Sequence, residues 1–164
     1  MANNIFVTSD WHINHDKIIE YCNRPKDHEE KIFKNMQFLE EQHTLICLGD
    51  ICIGKDKEVH ERFVWPLKCS KVLVMGNHDR KSWSWYMDHG WDLVCKGFEL
   101  NMFGKKLFFS HEPKWWNKEW DINVHGHLHN SGHRKNKVIE KVHRLIALEE
   151  TGYKPVNLRK LIER

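Results

Sequence analysis

Lys71-Val72-Leu73-Val74-Met75-Gly76-Asn77-His78-Asp79 is the stretch whose reading decides the fold. A short, mainly apolar, β-branched run has the length and content of a buried central strand. A glycine then breaks it, and polar side chains follow at once. The same pattern recurs along the chain. Ile5-Phe6-Val7-Thr8 ends in Ser9-Asp10-Trp11-His12, and Thr44-Leu45-Ile46-Cys47-Leu48 ends in Gly49-Asp50. Lys106-Leu107-Phe108-Phe109 ends in Ser110-His111, and Asp121-Ile122-Asn123-Val124 ends in His125-Gly126-His127-Leu128-His129.

Helix signals lie between these runs. Ile18, Ile19 and Cys22 predict a short helix stopped by Asn23-Arg24-Pro25. Asp27 with Glu30 resembles a capping box ahead of Ile32, Phe33, Met36 and Leu39 at helical spacing. Val59, Phe63 and Trp65 fit a third helix, and Trp83 to Met87 a fourth. Trp83, Trp85, Tyr86 and Trp91 are read as one core face. The second half reads as strands over 91–95, 97–102, 105–110, 122–125 and 138–148, with a turn at Gly104. Strands alternating with helices, then a run of strands, predict an α/β sandwich with mixed sheets.

With no linker or repeat, the 164 residues are expected to form one domain, 1–164. No apolar run reaches the roughly 20 residues that span a bilayer, and the start lacks a basic-then-apolar leader pattern. Five cysteines without a Cys-x-x-Cys pair read as reduced, buried thiols, so a cytoplasmic chain is expected. A balance of 26 basic to 23 acidic residues is too even to argue for nucleic acid by itself. The anomaly is 13 histidines and 8 tryptophans, and histidine in such excess needs a chemical explanation.

Ligands of open α/β sheets bind beyond the carboxyl ends of the strands. There the sequence delivers Asp10, His12, Asp50, Asn77, His111, His127 and His129, with His78 and Asp79 alongside. Imidazole, carboxylate and amide oxygen are ligands for divalent metals. A single such residue after a strand is usually a turn former, but five strand ends in one chain do not share that explanation.

The ordered set Asp10-x-His12, Gly49-Asp50, Gly76-Asn77-His78-Asp79, His111 and Gly126-His127-x-His129 resembles the calcineurin-like metallophosphoesterase superfamily, and its small bacterial and phage members in particular. The resemblance implies an α/β/β/α sandwich of two mixed β-sheets flanked by helices. It also implies two divalent metal ions, one held by Asp10, His12, Asp50 and His129, the other by Asp50, Asn77, His111 and His127. A hydroxide shared by the metals would attack phosphorus, with His78 as general acid and Asp79 orienting its ring. Manganese is the first expectation; iron, nickel, cobalt and zinc suit the same donors.

Protein phosphatases of the superfamily follow Gly-Asp with Asp-Arg-Gly, whereas Ile51-Cys52-Ile53 follows Asp50 here. A phosphodiesterase acting on a nucleotide or nucleic-acid diester is therefore expected, with a small-molecule phosphomonoesterase as alternative. A protein-interaction scaffold of this fold, as in one retromer subunit, loses the histidine that His78 represents. His15 and Arg24 are read either as phosphate contacts at the rim or as ordinary surface residues. Trp115, Trp116 and Trp120 form a loop that either stacks a nucleobase or makes a hydrophobic flap or dimer contact. His125 is expected to face the sheet, and His133, Arg134, Lys135 and Lys137 to form a solvated basic hairpin. The chain is expected as a monomer or homodimer.

Overall fold

The computed structural model describes residues 4–115, 119–131 and 141–163. Trp116 and the basic patch of His133, Arg134, Lys135 and Lys137 lie outside the described residues. The first half of the chain runs β1 (Ile5–Thr8), α1 (Lys17–Cys22), α2 (His28–Met36), β2 (Thr44–Cys47), α3 (Asp56–Val59), a π-helical turn (His60–Val64), β3 (Ser70–Val74) and α4 (Trp83–Asp88). The second half runs β4 (Leu93–Cys95), β5 (Gly97–Met102), β6 (Lys105–Ser110), β7 (Ile122–His125), β8 (His143–Leu145), α5 (Leu148–Thr151), β9 (Val156–Asn157) and α6 (Leu158–Ile162).

Two mixed sheets result, with strand orders β4-β3-β2-β1-β9 and β5-β6-β7-β8. The first is parallel apart from β9, which pairs antiparallel with β1. The second joins the antiparallel β5–β6 hairpin to parallel β7 and β8. Phe103 and Gly104 link the hairpin with φ of 56° and 69°, the type I′ conformation that matches strand twist.

The apolar runs follow from burial on both faces. Leu45, Cys47 and Leu73 point into a core shared with Trp11, Ile32, Met36, Phe63 and Trp91. Val7, Ile46, Leu48 and Val74 point the other way, onto Leu107, Phe109, Ile122, Val124, Leu158 and Leu161. Successive strand side chains face opposite sides, so a strand covered on both sides is apolar throughout. Each fully buried Val, Leu, Ile or Phe contributes roughly 1.5–3 kcal/mol, which fixes the strands firmly. Their pairing continues past the strand ends: Asp10 N–H donates to Gly49 O, His12 N–H to Asp50 O and Ile13 N–H to Ile51 O, each at 2.9 Å. The polar loops are thereby zipped together at the carboxyl ends.

Several local expectations need correction. Asp27 makes no side-chain cap; its carboxylate pairs with Lys31 at 2.9 Å instead. Trp83 is 48% exposed, so the core face reduces to Tyr86 and Trp91 with a half-buried Trp85. The strand expected over 138–148 is present only at His143–Leu145 among the described residues. Leu148 opens a helix because Glu149 and Glu150 suit its positive N-terminal end and Gly152, with φ 63°, closes it. β9 was not expected, since two residues carry no period.

Candidate metal centre

Five of the seven residues singled out as metal ligands carry a left-handed backbone: Asp10, His12, Asp50, His127 and His129, with φ between 49° and 68°. Such non-glycine conformations cost of order 1–3 kcal/mol each and persist only where the surroundings enforce them. The signature glycines help to do so. A Cβ on Gly76 would strike the Asp50 carboxylate, and one on Gly126 would strike Ser9 Oγ and the Asp10 carboxylate. The loops therefore close on the carboxylates only with glycine at these two places.

His111, His127, Asn77 and Asp50 form one group. His111 Nδ1 donates to Leu48 O at 2.7 Å, which leaves its Nε2 as an acceptor. That Nε2 lies 3.0 Å from Asn77 Oδ1, 3.1 Å from His127 Nδ1 and 3.4 Å from Asp50 Oδ2. Lone pairs of His111, Asn77 and Asp50 thus face one another, an arrangement that a cation among them relieves.

Asp10, His12 and His129 form the other. Asp10 Oδ2 accepts from Ser9 Oγ–H at 2.5 Å and from His127 N–H at 2.9 Å. Its Oδ1, 3.8 Å from His12 Nε2 and 3.6 Å from His129 Nε2, has no hydrogen-bond partner among the described residues, nor has His12 Nε2. Buried polar atoms without partners are costly, and here both face a ligand-type cluster. Burial, reinforced by His129 and Arg24, keeps the His12 imidazole far below its usual pKa and neutral, the ligand form.

Asp50 joins the groups. Its Oδ1 accepts from His78 N–H at 2.9 Å, while Oδ2 lies 3.5 Å from His12 Nε2 and 3.4 Å from His111 Nε2. Burial, with the nearby Asp10 charge, raises its carboxyl to about 6 against the pull of His111. Asp10–His12–His129 and Asp50–His111–His127 each bring three ligand atoms within 4.8 Å. The donors fit divalent cations in type and convergence.

His78 stands beside the centre, its side chain 32% exposed and Nε2 4.0 Å from Asp50 Oδ2. Asp79 does not orient that ring. Its carboxylate is taken by three backbone N–H groups, of Asp50 at 2.8 Å, Gly76 at 2.8 Å and Ile51 at 3.1 Å, and so it shapes the Asp50 loop. His15 lies at the mouth, Nδ1 3.3 Å from His12 Nδ1 and its ring centroid 6.2 Å from that of His78. Arg24 is not at the rim: its side chain is 0% exposed and its guanidinium is committed to Glu149 and to the carbonyls of Asp10 and Trp11. Glu149 is the residue the sequence analysis missed. It sits 20 positions beyond His129, one residue past the strand expected over 138–148.

Opposite charge ties Glu149 to His129. Burial opposes both charged forms, yet their mutual hydrogen bond, the Cys22 contact and the Asp10 charge hold His129 up at about 10. The same bond and Arg24 hold Glu149 at about 2. Among the tryptophans, Trp120 is buried and stacks on Phe108, whereas Trp115 is 89% exposed. His125 is fully buried against His143, with Nδ1 at 3.0 Å from Gly126 O. Beyond His78 a groove of about 430 Å³ is lined by His15, Cys52, Ile53, Gly54, Asp56, Arg80 and Lys81.

Residues 4–154 match the model of the calcineurin-like phosphoesterases. The chain belongs to that family. An uncharacterized protein of Methanocaldococcus jannaschii is 28% identical over 98% of this chain and 92% of its own length. The crystal structure of a protein of unknown function from Aquifex aeolicus superposes with a TM-score of 0.80 at 25% identity, covering 97% of both chains. A nuclease of Pseudomonas putida shares the fold at a TM-score of 0.51 and 20% identity, over 78% of this chain and 62% of its own. Family membership supports phosphoric ester hydrolysis in general, and the His and Asp clusters are sites that could hold metal ions. Among the described residues no helix is long and apolar enough to cross a membrane.

Proposed function

We propose that residues 1–164 form one catalytic domain that hydrolyses phosphodiesters of nucleotides or nucleic acids with two divalent cations. Asp10, His12, Asp50 and His129 would hold one, and Asp50, Asn77, His111 and His127 the other. The observation that carries the reading is Asp50 Oδ2, within 3.5 Å of a histidine nitrogen from each group. When bound, the cations supply Lewis acidity at the phosphoryl oxygens and acidify a water molecule. Manganese is the first candidate, ahead of iron, cobalt, nickel and zinc.

The chain's own groups do the rest. Asp50 and Asp10 bring two negative charges to a centre whose other donors are imidazoles and an amide, so a cation pair would leave a positive site for a phosphoryl group. Water gives up one proton to solvent and its oxygen forms the new bond to phosphorus while the ester P–O bond breaks; His78 donates a proton to the departing oxygen and regains one from solvent. The groove beyond His78 has Arg80 in its wall, while Lys81 there pairs with Asp56 at 3.8 Å. Arg80 is therefore the group proposed to attract an anionic part of the leaving group. Exposed Trp115 offers a nucleobase a flat apolar surface, and Trp116 belongs to the same proposal. His15 at the mouth is proposed as a substrate contact; Arg24, being buried and fully engaged, is not. The cytoplasm suits five unpaired thiols, and a monomer or homodimer suits this assignment equally.

The test strips the protein of metal, reloads it with each cation in turn, and measures kcat/KM on matched diesters and monoesters. Diesters should be preferred, nucleotide diesters most, and Trp115→Ala or Trp116→Ala should reduce only the nucleotide preference. Base stacking is worth roughly 1–3 kcal/mol, hence about a 5- to 150-fold loss. A monoester preference under every cation refutes the substrate assignment.

A further inference from the structure

A buried ion pair lies directly behind the Asp10–His12–His129 group, and the chemistry proposed above does not use it. Arg24 and Glu149 are separated by 125 positions, and their side chains are 0% and 5% exposed. Arg24 Nε donates to Glu149 Oε1 at 2.8 Å, and Nη2 lies 2.7 Å from the same oxygen. That oxygen is also 3.2 Å from His129 Nδ1, whose other ring nitrogen faces Asp10 Oδ1 at 3.6 Å. Arg24 further donates through Nη1 to Trp11 O and through Nη2 to Asp10 O, both at 2.8 Å.

The network therefore ends on two candidate ligands, the backbone of Asp10 and the ring of His129. His129 Nδ1 has two charged neighbours, Glu149 Oε1 and, at 3.5 Å, Arg24 Nη2. A guanidinium cannot accept a hydrogen bond, and an ionised carboxylate can only accept. The nearer carboxylate is satisfied by a proton on Nδ1, so a cation bound beside Asp10 would displace only the Nε2 proton and meet that nitrogen's lone pair. Metal-binding histidines are commonly oriented in this way by a carboxylate behind the ring. Cys22, His129 and Glu149 also converge closely enough to hold a cation themselves. Arg24 opposes that use, because it places a permanent positive charge there and already occupies Glu149 Oε1.

We propose that Glu149, locked by Arg24, is a positioning residue: it accepts the hydrogen bond of His129 Nδ1, fixes the tautomer with Nε2 free, and sets the cation affinity of the Asp10–His12–His129 group alone. The proposal rests on the dinuclear reading given above. A buried ion pair adds little net stability, because desolvation offsets its attraction. Replacing both partners together therefore separates positioning from folding.

The full-length, metal-stripped chain is titrated with Mn2+ by calorimetry, free Mn2+ being counted by electron paramagnetic resonance. The wild type should bind two ions. Glu149→Gln should weaken one site roughly 10- to 100-fold and leave the other unchanged. The double variant Arg24→Met with Glu149→Leu should stay folded, with a metal-free Tm lowered because the carbonyls of Asp10 and Trp11 lose their donor, and show the same selective loss. In the zinc-loaded wild type, nitrogen NMR should find the His129 proton on Nδ1. A Glu149→Gln chain that binds both ions as the wild type does overturns the proposal. So does an equal weakening of both sites, or a double variant that regains full affinity. A wild type that binds no second ion refutes the dinuclear reading itself, a result read before any variant is made.

Discussion

The two halves of the centre use similar donors but rest on different supports. In the Asp50–His111–His127 half, the His111 ring is fixed by a main-chain carbonyl, Leu48 O, one residue past β2, whose last three residues are buried. In the Asp10–His12–His129 half, the ring of His129 and the carbonyl of Asp10 are held by Arg24 and Glu149, two charged side chains from distant segments. A carbonyl at a strand end is present whatever the side chain, so that support survives substitution. A side-chain network fails with one residue. One half is therefore expected to be robust and the other breakable.

The strongest way to erase the contrast is Asp50→Ala. Both groups lose their common carboxylate, so binding of both cations and all hydrolysis should disappear in metal titration and turnover assays. Retention of two tightly bound ions would show that Asp50 is not shared.

Substituting His78 should spare both halves and still cost catalysis. His78→Ala is expected to keep two metal ions and to lose about 10²–10⁴ in rate with an alkoxide leaving group. A nitrophenolate, which departs without protonation, should lose much less. Equal losses for the two esters would make His78 a phosphate-binding rather than proton-donating group.

Gly126→Ala is the selective break. The added methyl strikes Ser9 and the Asp10 carboxylate, so the Asp10–His12–His129 site should weaken most, with a smaller loss at the other site because Gly126 adjoins His127 and its N–H donates to His111 O. The fold should lose about 1–3 kcal/mol, as overpacking usually costs. Denaturant unfolding and metal titration of the same sample would check both statements, and equal loss at the two sites would deny the halves their independence.

The smallest effect concerns protons. Burial holds the His125 imidazole down to about 4 from the usual 6.5, and burial also lowers His60 and His143. Between those values the unfolded chain takes up a proton that folded His125 refuses. Its contribution is whole above pH 6.5, declines as pH falls toward about 4, and is constant below. In chelator, stability should fall through that window, and His125→Gln should reduce the slope by up to about 1.4 kcal/mol per pH unit. An unchanged slope would locate the acid sensitivity in other groups.

Much of this was legible before any coordinates. The apolar runs at 5–8, 44–48, 71–75, 106–109 and 121–124 marked strands covered on both faces, and the polar residues after each run marked one end of the sheets. Glycine before Asp50, Asn77 and His127 carried a further signal, because a loop that folds against a neighbouring backbone, as at Gly49, or against a carboxylate, as at Gly76 and Gly126, leaves no room for a Cβ. Elements without a period were not legible. β9 has two residues, and α5 is announced only by Glu149 and Glu150 near a glycine.

The sequence by itself determined which side chains come to the carboxyl ends of the strands, since strand length and alternation depend on neighbours along the chain. Tertiary structure alone decided what each polar residue does there. Arg24 and Asp79 looked like catalytic or rim groups from position. Arg24 is instead paired with Glu149, 125 residues away, and Asp79 is spent on the N–H groups of Asp50, Ile51 and Gly76. A buried charge takes whatever partner the fold brings within hydrogen-bond reach, and spacing along the chain does not encode that distance.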